Sequence, residues 1–219
     1  MRIDRTHEIS GGKNVLYLND HHLSIPVQVS IAQELRRLYQ EENVAVMAFE
    51  QPYGQLGNHV EKVYHQAKTL NPATFLQRGI KVSSTTGAIH LLQVFLQQEF
   101  IEGKVEMWGI ENEELFDKIE IPKKEYRKLM EMWKTYVRGG YSIPSSILKE
   151  WKQKKARLEQ RLYELCERRD EVIVKNIDAL MAEKNMLRLP LVQGYKHFES
   201  IRDKLKLRDI GTMSYIFDQ

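Results

Sequence analysis

The chain has 219 residues, of which 42% are apolar and 29% are charged, and its formal net charge is +3 at pH 7. This length suits one large domain with a buried core, and no apolar run approaches the roughly 18 residues that cross a bilayer. Because 33 basic residues are interspersed with 30 acidic ones, the composition disfavours an extended nucleic-acid-binding surface.

The N-terminal residues and the cysteine content predict a cytoplasmic protein. The first residues, MRIDRTHEISGGK, lack the apolar stretch and small-residue cleavage site of a secretory signal. The single cysteine, Cys166, excludes an intramolecular disulfide and suits a reducing compartment. It lies within a helical charge pattern, so we interpret it as a packing residue rather than a nucleophile.

The first third of the chain alternates strand and helix patterns. Residues 14–18, NVLYL, form an apolar strand candidate, and Ser24 is a plausible N-cap with Pro26 in the first helical turn. Apolar residues then recur at steps of three or four as far as about Gln40, which predicts a helix. Residues 43–50, NVAVMAFE, are a continuous apolar run typical of a strand covered on both faces.

The middle of the chain continues this alternation. We expect two short helices over residues 58–78 and a largely buried helix over TTGAIHLLQVFLQQEF. KVEMWGIENEELF predicts a strand that runs into a polar loop, and this loop opens a short helix. A helical hairpin is predicted over residues 122–184, beginning with IPKKEYRKLMEMWKTYV. Gly139 and Gly140 end its first helix, and Pro144 precedes the start of its second.

The last part returns to the alternating pattern. MLRLPLVQG predicts a strand, HFESIRDKLK a helix and TMSYIFD a final strand. Because proline cannot donate to a sheet ladder, the first of these strands is expected to begin at Leu191 or to carry a bulge at Pro190. Strands separated by helices imply parallel pairing, so we predict one α/β domain over residues 1–219, with the hairpin 122–184 inserted in it.

Polar side chains follow several of the predicted strands. The carboxyl ends of parallel strands meet at one edge of a sheet, where ligands bind. The residues that follow or end the strands are His21 and His22, Glu50, Glu111 and Glu113, and His197. Two imidazoles with two or more carboxylates would suit Zn, Mn, Co or Fe, and a bound ion could activate water.

Five stretches in chain order resemble the TraB, Tiki, erythromycin-esterase and ChaN superfamily. They are LNDHHLSIPVQVSIAQEL, VAVMAFEQPYG, WGIENEELF, RRDEVIVKNIDALM and LVQGYKHFESIRDKLK. The positions that match the family motifs are Asp20, His22 and Gln28; Glu50 and Gly54; Gly109 and Glu111; Arg169 and Asp170; and Gly194 and His197. The resemblance covers roughly residues 14–217 and implies an α/β fold with a helical insertion.

The resemblance also implies a set of site residues. His22, Glu50, Glu111 and His197 would be the metal ligands, with Glu50 as ligand or general base and Arg169 steadying an anionic group or a developing oxyanion. Substrate contacts would come from His21, Gln28, Asn112, Arg169 and Tyr195. Several members are hydrolases that need a divalent metal, here Mn, Co or Zn, whereas ChaN-type members bind haem.

Two departures from the family pattern leave a second interpretation open. Ile89 stands where relatives commonly carry a Glu, and Asn112 replaces a possible acid after the third strand. Asn accepts a hydrogen bond but cannot act as a base. The chain is therefore either a metal-dependent hydrolase of a small molecule or peptide, or an inactive member that binds a small molecule, haem or a protein.

Partners other than substrate receive less support from the sequence. The hairpin could form a homodimer, although packing between its own helices is preferred. Its charges alternate in sign, so nucleic acid is not expected as a partner. No membrane is expected either, because the chain has no apolar run long enough to cross one. The chemistry depends on one spatial requirement, namely that His22 and His197 share a small hollow with Glu50.

Overall fold

The computed structural model describes residues 1–20, 24–56, 86–140 and 143–217. These form two compact units, one of residues 1–111 with 173–219 and one of residues 112–172. The predicted short helices over 58–78 and the residues His21 and His22 lie outside the described part. No helix within the described part is long and apolar enough to cross a membrane.

The first unit is built on a seven-stranded sheet with the order β1-β7-β2-β6-β3-β5-β4. Every pairing among β2, β3, β5, β6 and β7 is parallel. The edge strands β1 and β4 pair antiparallel with β7 and β5. The α/β class with a mostly parallel sheet is confirmed. The strand bounds are β1 Arg2–His7, β2 Asn14–Asp20, β3 Val46–Pro52, β4 Gly54–Gln55, β5 Glu106–Glu111, β6 Arg188–Gly194 and β7 Gly211–Ile216.

Helices connect these strands. Within the described ranges they are α1 Ile25–Glu42, α2 Thr86–Phe95, α3 Gln97–Ile101, α4 Glu113–Arg138, α5 Ser145–Glu183 and α6 Phe198–Lys206, with a 3-10 turn at Tyr195–His197 before α6. Ser24 is the N-cap of α1 and Pro26 lies in its first turn, as predicted. Asn43 ends this helix with φ of 55°, and its N–H donates to the Leu38 carbonyl, which turns the chain toward β3.

Two apolar clusters cover the two faces of the sheet. On the first face, Leu16, Met47 and Val192 pack with residues of α1 and α2, among them Ile31 and Leu92. On the second face, strand residues pack with the C-terminal part of α5 and with α6; they include Val15, Ala48, Leu191, Ile177 and Ile201. The continuous apolar runs of the central strands follow from this burial on both sides.

Strand β6 differs from its prediction at Pro190. The strand neither begins at Leu191 nor carries a bulge there: it pairs regularly with β2 from Arg188, and Pro190 lies opposite Leu16. Its pairing with β3 is confined to Leu191 and Val192. Pro190 therefore lies where the ladder to β3 has not yet begun, and no donor is needed on that side.

Helix α4 also differs from its prediction, because it runs without a break from Glu113 to Arg138. It joins the short helix predicted after β5 to the first helix of the hairpin, which was expected to begin at residue 122. Asn112 caps it by accepting a hydrogen bond of 2.9 Å from the N–H of Leu115. Pro122 lies inside the helix, and its missing N–H costs roughly 3 kcal/mol. Its buried side chain continues the apolar stripe of Leu115 and Ile119, which offsets this cost.

One smaller prediction was wrong, and one strand was not predicted. The helix over TTGAIHLLQVFLQQEF is divided into α2 and α3 at Leu96, which has φ of −121° and ψ of 36°. Strand β1 was not expected, because its residues are polar and mostly exposed apart from the half-buried Ile3. Gly139 as the C-cap of α4, and Pro144 immediately before α5, are as predicted.

Candidate functional site at the carboxyl edge of the sheet

The ends of four parallel strands lie side by side at the carboxyl edge. Asp20 at the end of β2 is opposite Gly194 at the end of β6, while β3 pairs with both β6 and β5. The helix after β2 packs on the first face of the sheet and the helix after β6 packs on the second. Ligand crevices in open α/β sheets form where the connections diverge in this way.

Gln28 joins two elements on the first face of this edge. Its side chain is fully buried, and its amide nitrogen donates a short hydrogen bond to the Asp20 carboxylate. Its amide oxygen accepts a hydrogen bond of 2.8 Å from the N–H of Ala88 in the first turn of α2. Gln28 therefore holds the end of β2 against α1 and α2, and its contact with substrate stays a prediction.

Glu50 and Gly194 form a contact on the second face. The N–H of Gly194 donates to Oε2 of Glu50 across 3.0 Å, and the carbonyl of Gly194 accepts a hydrogen bond of 3.0 Å from the Tyr17 hydroxyl. The Tyr17 ring packs edge-on against Phe198 at 5.0 Å between centroids. The half-buried Glu50 carboxylate is thus fixed at the end of β6, where the chain leaves the sheet toward His197.

Gln193, one residue before Gly194, has a buried side-chain amide that differs from the hydrogen-bonded amide of Gln28. It is fully buried, and neither its amide nitrogen nor its amide oxygen has a hydrogen-bond partner among the described residues. Strand alternation places it on the face of Leu189 and Leu191, opposite Asn19. A buried amide without hydrogen-bond partners lowers the free energy of unfolding by about 1–3 kcal/mol. In folded proteins such a group commonly marks a bound water or ligand.

Glu111 lies at the end of β5 and is only 4% exposed. Its carbonyl accepts a hydrogen bond of 2.8 Å from the N–H of Tyr53, so β3 and β5 stay paired past the register shift after Phe49. Gly109 permits this approach: a Cβ there would collide with the carbonyl oxygen of Pro52 and lie 2.6 Å from that of Gln51. The glycine of the GIE segment therefore allows the backbones of β3 and β5 to pack closely at this site.

The 3-10 turn after β6 carries two further predicted residues. Tyr195 is 49% exposed, and His197 is half-buried directly before α6. His197 follows Gly194 by three residues, which places it at the same end of the sheet as Glu50. The described structure thus brings Glu50, Gly194 and the His197 segment to one end of neighbouring strands.

The remaining predicted residues belong to the second unit. Arg169 is 6% exposed, and its guanidinium lies 5.9 Å from the centroid of the Phe116 ring. Asp170 beside it is also buried. Burial, followed by the charge of Asp170, raises the pKa of the Cys166 thiol, which agrees with a packing role for that cysteine. Asn112 serves as the cap of α4.

The predicted metal set is incomplete within the described residues. They contain no group of three or more His, Cys, Asp or Glu side chains that could hold a metal ion together. The predicted ligand His22 lies outside the described part, so its meeting with His197 and Glu50 stays a prediction. Ile89, which stands where members of the resembled superfamily commonly carry a Glu, is half-buried against the first apolar cluster.

A separate cavity lies at the opposite end of β5. It has a volume of about 270 Å³ and is lined by Gln55, Leu56, Phe100, Gly103, Val105, Glu106 and Met107. It contains none of the predicted site residues.

Sequence reasoning did not single out Tyr17 or Gln193. A signal for Gln193 was present, because it is a polar residue at the penultimate position of an otherwise apolar strand, LPLVQG. Tyr17 gave none, since its ring is core-like and only its hydroxyl reaches Gly194.

Comparison of the chain with known protein families, with curated proteins and with solved structures finds no match. The resemblance to the TraB, Tiki, erythromycin-esterase and ChaN superfamily therefore depends on its own motifs alone.

Proposed function

We propose that the carboxyl edge of the sheet is a hydrolase site in which Glu50 activates water. The observation that carries the proposal is the hydrogen bond of 3.0 Å from the Gly194 N–H to Oε2 of Glu50. It holds one carboxylate oxygen in a fixed direction at the point where the connections after β2 and β6 diverge. Ligands bind at such points in α/β sheets, and a fixed carboxylate there is suited to general-base catalysis.

The other residues take the roles that the resemblance implies. Glu50 would accept a proton from water as the water oxygen bonds to the carbonyl carbon of an ester or amide in a small-molecule or peptide substrate. The C–O or C–N bond would then break, and the leaving alcohol or amine would take that proton back from Glu50. Arg169 would steady the developing negative charge on the carbonyl oxygen. Tyr195, Gln28, Asn112 and His21 would contact substrate. A cytoplasmic location, proposed from the single cysteine, is compatible with this activity.

A divalent ion would bind here only if both His22 and His197 serve as ligands. Since the described residues alone do not complete a metal site, Mn, Co or Zn would require His22 in addition to Glu50, Glu111 and His197. When bound, the ion would supply a more acidic water. Haem, the alternative cofactor, is proposed only from the resemblance.

A second candidate is an inactive member that binds a small molecule without turnover. Two observations favour it: the half-buried Ile89 packs against the apolar cluster where relatives carry a carboxylate, and the buried Gln193 amide has no partner among the described residues. A ligand amide, hydroxyl or carboxylate would satisfy Gln193 without any reaction.

Hydrolysis and thermal-shift measurements on the full chain separate the two candidates. The protein is freed of metal with chelator, then titrated with Mn, Co and Zn while its melting temperature and its hydrolysis of a panel of chromogenic esters and amides are followed. Hydrolysis with a metal-dependent rise in melting temperature supports the hydrolase, because an ion bound only by the folded state stabilises it. Absence of turnover with every ion favours the binding protein.

A further inference from the structure

Helices α4 and α5 have strongly basic ends next to the connection between them, and we call these ends the basic tip. It comprises the described residues 128–140, at the C-terminal end of α4, and 143–156, at the N-terminal end of α5. The tip holds seven lysine and arginine residues against two glutamates, a net charge of +5, whereas the entire chain carries only +3. Acidic and basic residues alternate along the later part of α5, whereas basic residues predominate in the tip. The net charge of the entire chain does not indicate this difference.

Most of this positive charge is not neutralised within the tip. Lys155 pairs with Glu159 at 2.9 Å and lies 6.0 Å from the Trp151 ring centroid. The other six cations of the tip are exposed and form no ion pair with any residue that the structure describes: Lys128, Lys134, Arg138, Lys149, Lys152 and Lys154. Cations in this condition attract an anionic surface.

Large apolar side chains are exposed beside these cations. Met132 is 60% exposed, Val137 58% and Ile147 45%. The interior of the tip is nonetheless packed, because the rings of Trp133 and Trp151 stack at 4.2 Å between centroids and join α4 to α5. The exposed apolar residues therefore lie on two helices that pack against each other within the tip.

We propose that the basic tip binds the surface of an anionic lipid bilayer. Exposed apolar side chains flanked by lysine and arginine suit the boundary between headgroups and acyl chains, where the cations meet lipid phosphates. A second copy of the chain would bring +5 against +5, so charge opposes a homodimer through this surface. Nucleic acid would use the cations but leave Met132, Val137 and Ile147 in water. The contact is peripheral and needs no membrane-spanning helix.

Sedimentation of the full chain with vesicles tests the proposal. We expect the protein to bind phosphatidylcholine vesicles that contain phosphatidylglycerol, not to bind pure phosphatidylcholine, and to be released as salt is raised. Lys134→Glu with Lys149→Glu should weaken binding at least about 25-fold, since each cation near an anionic surface contributes roughly a factor of five. Lys206→Glu, an exposed residue at the end of α6, is the matched charge control.

A second pair of variants distinguishes a bilayer from other anionic partners. Met132→Ser with Val137→Ser should reduce vesicle binding severalfold while leaving binding to a DNA duplex unchanged, and Leu207→Ser, which is 86% exposed outside the tip, should change neither. All of these positions are exposed, and circular dichroism verifies that each variant is folded. The proposal is overturned if anionic vesicles fail to sediment the protein at low salt, if the charge reversals change nothing, or if only DNA binds.

Discussion

The N–H of Gly194 and the carboxylate of Glu50 meet across 3.0 Å, which joins the end of β6 to the end of β3. Glu50→Gln keeps an oxygen acceptor for this hydrogen bond but removes the proposed general base. We therefore expect the melting temperature to stay close to wild type while hydrolysis falls about 10²–10⁴-fold, the usual contribution of a general base. The rate of ester or amide hydrolysis, measured beside thermal unfolding, provides the test.

Glu183→Gln is the matched control for this variant, because Glu183 is exposed at the end of α5. It should retain full activity. Wild-type turnover in Glu50→Gln would exclude Glu50 as the base, whatever its effect on stability.

Replacing Gln28 tests its connecting role. Gln28→Ala removes the amide that donates to Asp20 and accepts from Ala88, and both groups are buried. We expect a loss of about 2–4 kcal/mol in the free energy of unfolding, because buried polar groups lose their partners and a cavity remains. Gln33→Ala, at an exposed position of the same helix, should change it by less than about 0.5 kcal/mol. Equal denaturant midpoints for the two variants would contradict this role.

Gly109→Ala tests the close approach between β3 and β5. The added methyl group would collide with the backbone of Pro52, which cannot turn aside as a flexible side chain can. We expect a loss of roughly 3 kcal/mol or a failure to fold. Gly103→Ala is the comparison, because its φ of +67° is strained for alanine although nothing lies within 4 Å; its cost should be about 1 kcal/mol. Urea unfolding measures both, and the prediction fails if Gly109→Ala is the milder change.

The ion pair between Glu106 and Lys184, at 2.7 Å, predicts a specific pH dependence. A hydrogen bond from Lys184, helped by Trp108, lowers the pKa of Glu106, and the same contact raises the pKa of Lys184. Because the carboxyl pKa is lower in the folded state, its contribution is fully present above about pH 4.5 and is lost as pH falls through the folded value. The raised pKa of Lys184 keeps its contribution until pH rises past about 10.5.

Melting temperatures across pH measure this effect. Glu106→Gln should melt below wild type between about pH 5 and 10, and the two curves should converge in acid. Glu171→Gln removes an exposed glutamate of α5 and should follow wild type throughout. A Glu106→Gln deficit that persists unchanged into acid would show that lost packing, not charge, is responsible.

Gln193→Met tests whether the buried amide serves a ligand. Without a partner in the folded protein, the amide opposes folding, so an apolar side chain of similar size should stabilise the protein by about 1–2 kcal/mol. Gln93→Met is the matched control, since Gln93 in α2 is 1% exposed and also has no amide partner in the described part of the chain. Both should be stabilised, but only Gln193→Met should lose hydrolysis or ligand-induced thermal shift. A destabilised Gln193→Met would mean that the amide is paired in solution.

The main elements of the fold could be predicted because their signals are local. Ser24 and Pro26 mark the start of α1, Gly139 marks the end of α4, and the apolar runs mark the central strands. Pro122 and Pro190 misled the prediction, because proline usually ends an element. Here, burial in α4 and the limited pairing of β6 with β3 accommodate them.

The candidate site was predictable only as a set of strand ends. The positions of Glu50, Glu111 and His197 at the carboxyl edge follow from parallel pairing, which the alternation of elements indicates. The contact between Gly194 and Glu50 depends instead on strand order, since β6 is inserted between β2 and β3 although it comes late in the chain. Nothing in the sequence near residue 50 indicates that order. Tyr17 gave no signal because only its hydroxyl reaches Gly194, whereas Gln193 carried one as a polar residue near the end of an apolar strand.

The two edges of the sheet are poor templates for aggregation. One edge is the two-residue strand β4, and the other is β1, which presents Arg2, Asp4, Arg5 and His7 to solvent. Short and charged outer strands discourage pairing with a strand from another molecule. The apolar central strands, which as free peptides would be prone to fibril formation, are thereby shielded by residues that contribute little to the core, and concentrated solutions of the folded protein should remain free of cross-β association.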